Sequence, residues 1–333
     1  MTRSIVVAGL LMGVGAATPA TAQTPTPTPT PPPAPTPTPT PAPPAPPEAK
    51  LTLSSDEVLR DGKRSMAVQG TSFRVRGRLT PVVAGETVVV RLYRGKKKIG
   101  AHSVKVDARG IYAVKFPARR HGTLVVRAVH RASPNLLTAR ARTVVRVIKA
   151  RVGPGAPRVL IGAFQAGLDR LHYAVSRSRS WDGATQRAVM AYRKVNGMQR
   201  TFSASEDIVR RVLTGKGAYK VRHPNAGHHA EADLSRQVLA LVDGANLVRV
   251  YHISSGKPST PTVLGTFHVY RKSPGTNAKG MVDSSYFTGG YAIHGYPSVP
   301  PFAASHGCIR TPIPNARAIF NWLRFGDAVI VEQ

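Results

Sequence analysis

The segment IHGYPSVPPFAASHGCIRTP, residues 293–312, contains Cys308, the only cysteine of the 333-residue chain. A single cysteine cannot form an internal disulfide, so it is a buried apolar side chain, a partner for another molecule or a reactive thiol. A thiol becomes a nucleophile when a histidine lies within hydrogen-bond reach. The question is whether this chain supplies one.

Two histidines lie near Cys308 in the sequence. His306 is two residues away, and side chains at i and i+2 of an extended segment share a face. His294 ends the apolar run 291–293, fourteen residues before Cys308, so it can approach from a neighbouring strand. Residue types alone favour a reactive Cys-His pair only modestly over a buried cysteine.

The sequence around this segment predicts a mostly β domain over residues 230–333. Residues 235–256, SRQVLALVDGANLVRVYHISSG, have two alternating apolar runs about Asp243-Gly244, which is typical of a β-hairpin. Further predicted elements are a strand over 265–271, a helix over 313–325 with Pro314 in its first turn and a last strand over 328–333. Cys308 is expected near a strand end.

Residues 155–216 have helical periodicity instead. VLIGAFQAGLDRLHYAV, residues 159–175, and ATQRAVMAYRKVNGM, residues 184–198, repeat apolar residues every three to four positions. A third helix is predicted over 205–213, with Ser203 or Ser205 as its N-cap. These three short helices predict a small bundle.

Residues 50–149 alternate apolar and polar residues with period two. FRVRGRL, residues 73–79, places Phe73, Val75 and Leu79 on one face and arginines on the other. About seven strands joined by short turns predict an antiparallel β-sandwich of immunoglobulin type. The chain is thus expected to be multidomain, with a spacer or adhesion module before the helices.

The N-terminus is typical of an exported protein. Residues 1–22 combine Arg3, a short apolar run and small residues at Ala20 and Ala22, which predict a signal peptide cleaved after Ala22. Residues 23–49 alternate Thr-Pro and Ala-Pro, a disordered polyproline II linker of about 80 Å if fully extended. No later stretch predicts a membrane span. The mature chain is expected to be secreted, in the cell envelope and monomeric.

The charge balance restricts the partners. Lys plus Arg number 47 against 16 Asp plus Glu, a net charge of +31. The cations are spread along every segment, without the interleaved aromatic residues that single-strand binding uses, so nucleic acid is not expected. For an exported chain, anionic wall polymers are the available polyanion.

Two stretches resemble known families. Residues 293–312 resemble the His and Ser-His-Gly-Cys motif of YkuD-type L,D-transpeptidases, and SSGKPSTPTVLGTFHVYRK, residues 254–272, resembles a strand pair of that family with an extra Val-Leu before Gly265. This resemblance covers residues 232–333. LHYAV and WDGATQRAVMAYRKVNGM, residues 171–175 and 181–198, resemble a PG_binding_1-type peptidoglycan-binding domain with a shortened loop before the threonine.

The YkuD resemblance implies a peptidoglycan L,D-transpeptidase that acts on stem peptides. Cys308 would attack the carbonyl after the L-centre of the third stem residue and expel D-Ala, with His294 as proton acceptor and donor. The Gly295 carbonyl would orient His294, backbone N–H groups around Gly307 and Cys308 would bind the oxyanion, and His306 would support the site. Expected substrate contacts are Arg310, Ser305 and Tyr291.

The acceptor is left open by the sequence. A side-chain amine of a second stem would give a 3→3 cross-link, whereas water would give carboxypeptidase activity. A cysteine peptidase or amidase of the same stems and a non-catalytic wall-binding protein are the other interpretations. A decayed scaffold would be expected to have lost at least one of His294, His306, Gly307 and Cys308, and all four are present.

Residues 221–233, VRHPNAGHHAEAD, contain a second cluster of histidine and acidic residues. They are predicted to form a polar interdomain loop, without the regular ligand spacing of a zinc site. Neither a metal nor another cofactor is expected.

Overall fold

The computed structural model describes residues 44–333, so the predicted signal peptide and all of the proline-rich linker up to residue 43 lie outside the described residues. The described chain is mostly β, as predicted, with nineteen strands and four helices. None of the helices within residues 44–333 combines the length and apolar character needed to cross a membrane.

Ten strands form two sheets between residues 50 and 148. Their inner faces share one core because apolar residues alternate along the strands, as Phe73, Val75 and Leu79 do. Ten strands are observed where about seven were predicted, since three of them have only two or three residues. The immunoglobulin-type topology stays a prediction. The strands are β1 (Lys50–Leu51), β2 (Ser54–Asp56), β3 (Leu59–Asp61), β4 (Arg64–Val68), β5 (Ser72–Thr80), β6 (Thr87–Arg94), β7 (Lys97–Lys105), β8 (Ile111–Pro117), β9 (Gly122–His130) and β10 (Ala139–Ile148).

Three helices follow, α1 (Arg158–Arg170), α2 (Gly183–Val195) and α3 (Glu206–Leu213). Asp182 caps α2 by accepting a hydrogen bond from the Thr185 backbone N–H. Ser205, one of the two predicted caps, does the same for α3 by accepting from Ile208.

The C-terminal part contains a five-stranded sheet in the order β13-β12-β11-β19-β14 and a four-stranded sheet in the order β15-β16-β17-β18. The predicted hairpin about Asp243-Gly244 is confirmed as β12 and β13. The strand predicted over 265–271 is instead two strands in different sheets, β14 and β15. The elements are β11 (His228–Asp233), β12 (Val238–Asp243), β13 (Asn246–His252), β14 (Gly265–His268), β15 (Arg271–Thr276), β16 (Val282–Thr288), β17 (Tyr291–Tyr296), β18 (Ile309–Pro312), α4 (Ile313–Trp322) and β19 (Ala328–Glu332).

The five-stranded sheet has a buried core on each face. Val238, Ala240 and Val242 of β12 pack into the core that contains the three helices. Leu239 and Leu241 face the other core, which includes residues of the four-stranded sheet and of α4. The helices therefore do not enclose a core of their own, and the predicted separate bundle is not what the packing shows.

The prediction of a polar loop over 221–233 is wrong for its second half. His228–Asp233 is the central strand β11, in which Glu231 is fully buried. The Glu231 carboxylate accepts hydrogen bonds from the Tyr219 hydroxyl at 2.9 Å and from the His223 backbone N–H at 2.7 Å. This network joins the segment after α3 to the sheet, because a buried carboxylate needs such donors.

Candidate active site

The residues around His294 and Cys308 lie on two adjacent parallel strands. β17 and β18 pair with Ile293 opposite Ile309 and His294 opposite Arg310. Ile293 and Ile309 are buried in the core, so the alternate residues His294 and Arg310 face away from it. Cys308 directly precedes β18, and extending the register by one residue brings it level with Ala292.

The His294 imidazole is buried and held in one orientation. Its Nδ1 lies 2.9 Å from the Gly295 carbonyl oxygen and donates a hydrogen bond to it. Nε2 therefore carries the lone pair and is the atom able to accept a proton. Burial lowers the pKa of His294, and the charge of Arg310 lowers it further, so the ring is neutral at neutral pH.

Gly295 is required by packing as well as by its carbonyl. A Cβ built on Gly295 would lie 2.6 Å from the Ala316 Cβ in α4 and 3.2 Å from the Val282 Cβ. Only glycine allows the helix to approach the strand at this point. The contact fixes the strand at the residue that accepts the His294 hydrogen bond.

The Cys308 thiol is partly buried in apolar surroundings. It packs against Met281, Tyr286 and Ala292, and Sγ is 3.7 Å from the Gly290 carbonyl oxygen. Burial raises the pKa of Cys308, although a hydrogen bond with the Ala292 backbone and the charge of Arg310 act in the opposite direction. At neutral pH the resting pair is a thiol and a neutral imidazole.

The loop before Cys308 is fixed by the Ser305 hydroxyl. Ser305 is buried, and its Oγ donates to the Cys308 carbonyl at 2.6 Å and accepts from the Gly307 backbone N–H at 3.1 Å. The Gly307 N–H is thus already used within the loop. The predicted substrate contact of Ser305 does not fit a buried hydroxyl that is hydrogen-bonded on both sides.

Thr262 holds the same loop from the opposite direction, and the sequence did not suggest it. Its buried Oγ1 donates to the Gly307 carbonyl at 2.6 Å and accepts from the Gly256 backbone N–H at 2.8 Å. Gly307 itself has φ +118°, and a Cβ there would lie 2.4 Å from the Tyr291 ring. The glycine permits the loop to cross Tyr291 closely.

The segment that joins His306 to Cys308 is not the extended strand that the sequence predicted. The positive φ of Gly307 interrupts the extended backbone between them, and His306 is exposed whereas Cys308 is partly buried. Among the hydrogen bonds of residues 44–333, none involves the His306 side chain.

Arg310 lies close to both members of the pair. Its guanidinium stacks 4.2 Å above the Tyr296 ring, which in turn meets the His294 ring edge-on at a centroid distance of 5.7 Å. Nη1 donates to the Ala304 carbonyl at 3.4 Å. The side chain is only partly buried, so it remains accessible to an anionic or carbonyl group of a substrate.

A support that sequence reasoning missed holds the 297–304 loop between His294 and Cys308. The His252 Nε2 donates to the Val299 carbonyl at 2.9 Å, and burial lowers the pKa of His252 to about 3, so its ring is neutral. Its Nδ1 accepts from Nζ of Lys194 at 2.7 Å. Lys194 is a buried residue of α2. The helices therefore reach the active-site loop through two side chains.

The raised pKa of Cys308 and the lowered pKa of His294 predict how the rates of alkylation and acylation depend on pH. Because the Cys308 pKa is raised, alkylation by iodoacetamide should be slow at pH 7 and should rise with a midpoint above that of free cysteine, about 8.5. Because the His294 pKa is lowered, acylation that uses its lone pair should persist at pH 6.5 and fall only at lower pH. A midpoint below pH 8 for alkylation would indicate a thiolate–imidazolium pair instead.

The C-terminal part is similar to known proteins. Residues 227–331 match the YkuD family model, described as the L,D-transpeptidase catalytic domain. An L,D-transpeptidase structure from Xylanimonas cellulosilytica aligns with 29% identity over 55% of this chain and 96% of its own, with a TM-score of 0.49. The catalytic domain of the Enterococcus faecium L,D-transpeptidase aligns with 27% identity over 32% of this chain and 98% of its own, with a TM-score of 0.28. The Mycobacterium smegmatis L,D-transpeptidase aligns with 14% identity over 85% of this chain and 99% of its own, with a TM-score of 0.29.

No curated protein sequence matches the chain. The family match is confined to residues 227–331. The matched segment contains His294, Gly295 and Cys308. It does not extend to α1, α2 and α3, and the predicted peptidoglycan-binding domain at residues 155–216 stays a prediction.

Proposed function

We propose that the protein is an exported peptidoglycan L,D-transpeptidase that forms 3→3 cross-links through an acyl-enzyme on Cys308. The observation that carries this proposal is the pairing of β17 with β18. The register supports a common face for the His294 imidazole and the Cys308 thiol, and the Nδ1 hydrogen bond to Gly295 leaves the Nε2 lone pair available. A neutral base beside a neutral thiol is the arrangement that general-base activation of a nucleophile requires.

The first half-reaction transfers the stem to the enzyme. As Sγ bonds to the carbonyl carbon after the L-centre of the third stem residue, its proton passes to Nε2 of His294. The tetrahedral intermediate then breaks its C–N bond, and His294 returns the proton to the leaving D-Ala amine. In the second half-reaction an acceptor amine attacks the thioester carbonyl and gives a proton to His294. The C–S bond then breaks, and His294 passes that proton to Sγ, which restores the Cys308 thiol and the neutral imidazole.

The sequence suggested the N–H groups around Gly307 and Cys308 as oxyanion donors, and only one of these two is kept. Ser305 already accepts the Gly307 N–H, so we assign the oxyanion contact to the Cys308 N–H. Ser305 and Thr262 become positioning residues that fix the Gly307 and Cys308 carbonyls. Arg310 keeps its proposed contact with a substrate carboxylate or carbonyl.

The remaining roles are proposals of the same kind. Tyr291 packs under Gly307 and would border the substrate where the loop crosses its ring. His306, exposed beside the nucleophile, would contact substrate or solvent rather than Cys308. The protein would act as a monomer in the cell envelope, with stem peptides and glycan as its partners.

Product analysis with purified stems tests the proposal. The mature protein is incubated with tetrapeptide stems that carry a free side-chain amine at the third residue, and the products are separated by mass. We expect tetrapeptide–tripeptide dimers and free D-Ala, with none from Cys308→Ala. Tripeptide without dimers would replace the transpeptidase with a carboxypeptidase, and the absence of any product would leave a non-catalytic wall-binding protein.

A further inference from the structure

The six-stranded sheet of the N-terminal part has an unusual charge distribution. Its strands β6, β7, β9 and β10 contain nine lysine and arginine residues and no aspartate or glutamate. The inner side chains of these strands, such as Val90, Val126 and Val145, are buried in the core. The cations are therefore carried mainly by the outer face, by the strand ends and by the edge strand β7.

Three arginines form a row across this outer face. Arg127 of β9 is directly opposite Arg91 of β6 on one side and Arg142 of β10 on the other. Neighbouring strands are about 4.8 Å apart, so the row spans about 10 Å. We call Arg91, Arg127 and Arg142 the arginine row. Arg140 and Arg146 lie on the same side of β10 and extend the row along that strand.

The arginine row has no acidic partner within residues 44–333, where no salt bridge or side-chain hydrogen bond includes any of its members. Only Arg127 has a side-chain contact of note, its guanidinium lying 5.0 Å from the Tyr93 ring centroid. Like charges directly opposite each other across strands are destabilising. The fold therefore carries an uncompensated repulsion at this place.

The other sheet provides a contrast. Arg74 and Arg76 of β5 also alternate along a strand face, but each has a carboxylate nearby. Arg74 pairs with Glu57 at 3.1 Å and Arg76 with Asp56 at 3.7 Å. A high content of arginine thus does not by itself prevent pairing in this protein. The arginine row is left open for an external anion.

We propose that the arginine row binds a linear phosphodiester polymer of the cell envelope, lying across strands β6, β9 and β10. The planar guanidinium matches two oxygens of a phosphate, and free N–H groups from three strands can engage successive phosphates. That the polymer comes from the cell envelope rests on the proposed function. That the arginine row binds a phosphodiester polymer rests only on the charges and positions of the three arginines. The Tyr93 ring on this face is already covered by Arg127, which favours backbone-like anions over stacked bases.

Binding to soluble poly(glycerol phosphate) by the full mature chain tests the proposal. The variant R91Q/R127Q/R142Q should lose at least about tenfold in affinity near 0.1 M salt, and the slope of log K against log salt should become shallower by about two to three. The control R74Q/R76Q/R78Q removes the same number of positive charges, three, from β5. Its affinity should fall by less than about threefold, because Arg74 and Arg76 already have carboxylate partners. R91Q/R127Q/R142Q should melt no lower than about the parent temperature, since the arginine row carries like charges.

Two outcomes would overturn the proposal. Equal losses in the two triple variants would mean that net charge alone governs binding. Tighter binding of duplex DNA or of poly-glutamate than of poly(glycerol phosphate) would assign the face to another polyanion.

Turnover of soluble tetrapeptide stems by R91Q/R127Q/R142Q should equal that of the parent. If the parent itself gives no turnover, the proposed function fails while the binding result still stands.

Discussion

Replacing Cys308 with alanine should abolish covalent labelling by a carbapenem β-lactam, read as a mass increase on the intact protein. The strained lactam carbonyl needs a nucleophile, and Cys308 is the only thiol of the chain. The matched change at the base, His294→Ala, should leave labelling possible but slow it by about 10²- to 10⁴-fold. Imidazole added to His294→Ala should restore part of the rate.

The control for this pair is His268→Ala, which removes an exposed histidine of β14 in the same domain. Its labelling rate should match the parent rate. Labelling of Cys308→Ala with the parent yield would place the nucleophile elsewhere. An unchanged rate in a folded His294→Ala protein would remove His294 from the reaction.

Replacing Lys194 with methionine should lower the free energy of unfolding by about 3 kcal/mol. The buried Nζ donates to three acceptors, His252 Nδ1 at 2.7 Å and the carbonyls of Gln237 at 3.0 Å and Ile253 at 2.8 Å. Methionine fills a similar volume but donates to none of them, so three buried acceptors lose their donor. Because His252 holds the Val299 carbonyl, acylation of Cys308 should slow as well.

Chemical denaturation measures the first effect and the carbapenem labelling rate the second. Lys216→Met, the same change at an exposed lysine after α3, should stay within about 0.5 kcal/mol of the parent. A Lys194→Met protein as stable and as quickly labelled as the parent would mean that the helices do not support the active-site loop.

Much of the fold was predictable because its elements are local. The period-two runs of residues 50–149 and the hairpin about Asp243-Gly244 depend on neighbours in the sequence. The errors fall where distant contacts decide. His228–Asp233 reads as a polar loop, yet it is a central strand because Tyr219 and the backbone at His223 supply donors to the buried Glu231.

In the candidate site, too, the residues of the local motif could be predicted and the residues that support the loop through distant contacts could not. The motif of residues 293–312 pointed to His294, Gly295 and Cys308; the first two lie on β17, and Cys308 directly precedes the adjacent strand β18. The supports of the loop could not be predicted, since Thr262 lies 45 residues from Gly307 and Lys194 lies 58 residues from His252. The only sequence signal for the Lys194–His252 support is the position of Lys194, a lysine among the apolar residues of α2.

The position of Ser305 could not be predicted for a related reason. A serine beside a nucleophile suggests a substrate contact, and only the three-dimensional position shows that its hydroxyl is buried between Gly307 N–H and the Cys308 carbonyl. The same applies to His306, since the sequence did not indicate the positive φ at Gly307 that interrupts the extended backbone beside it.

The most direct measurement is the mass of the trapped acyl-enzyme formed with a tetrapeptide stem. The mature protein is quenched with acid during turnover, digested and analysed for a peptide that contains Cys308. A thioester-linked tripeptide on Cys308, absent from Cys308→Ala, is the predicted result. Dimer or tripeptide products formed at the parent rate by Cys308→Ala, or a stem acyl group on any other residue, would contradict the account.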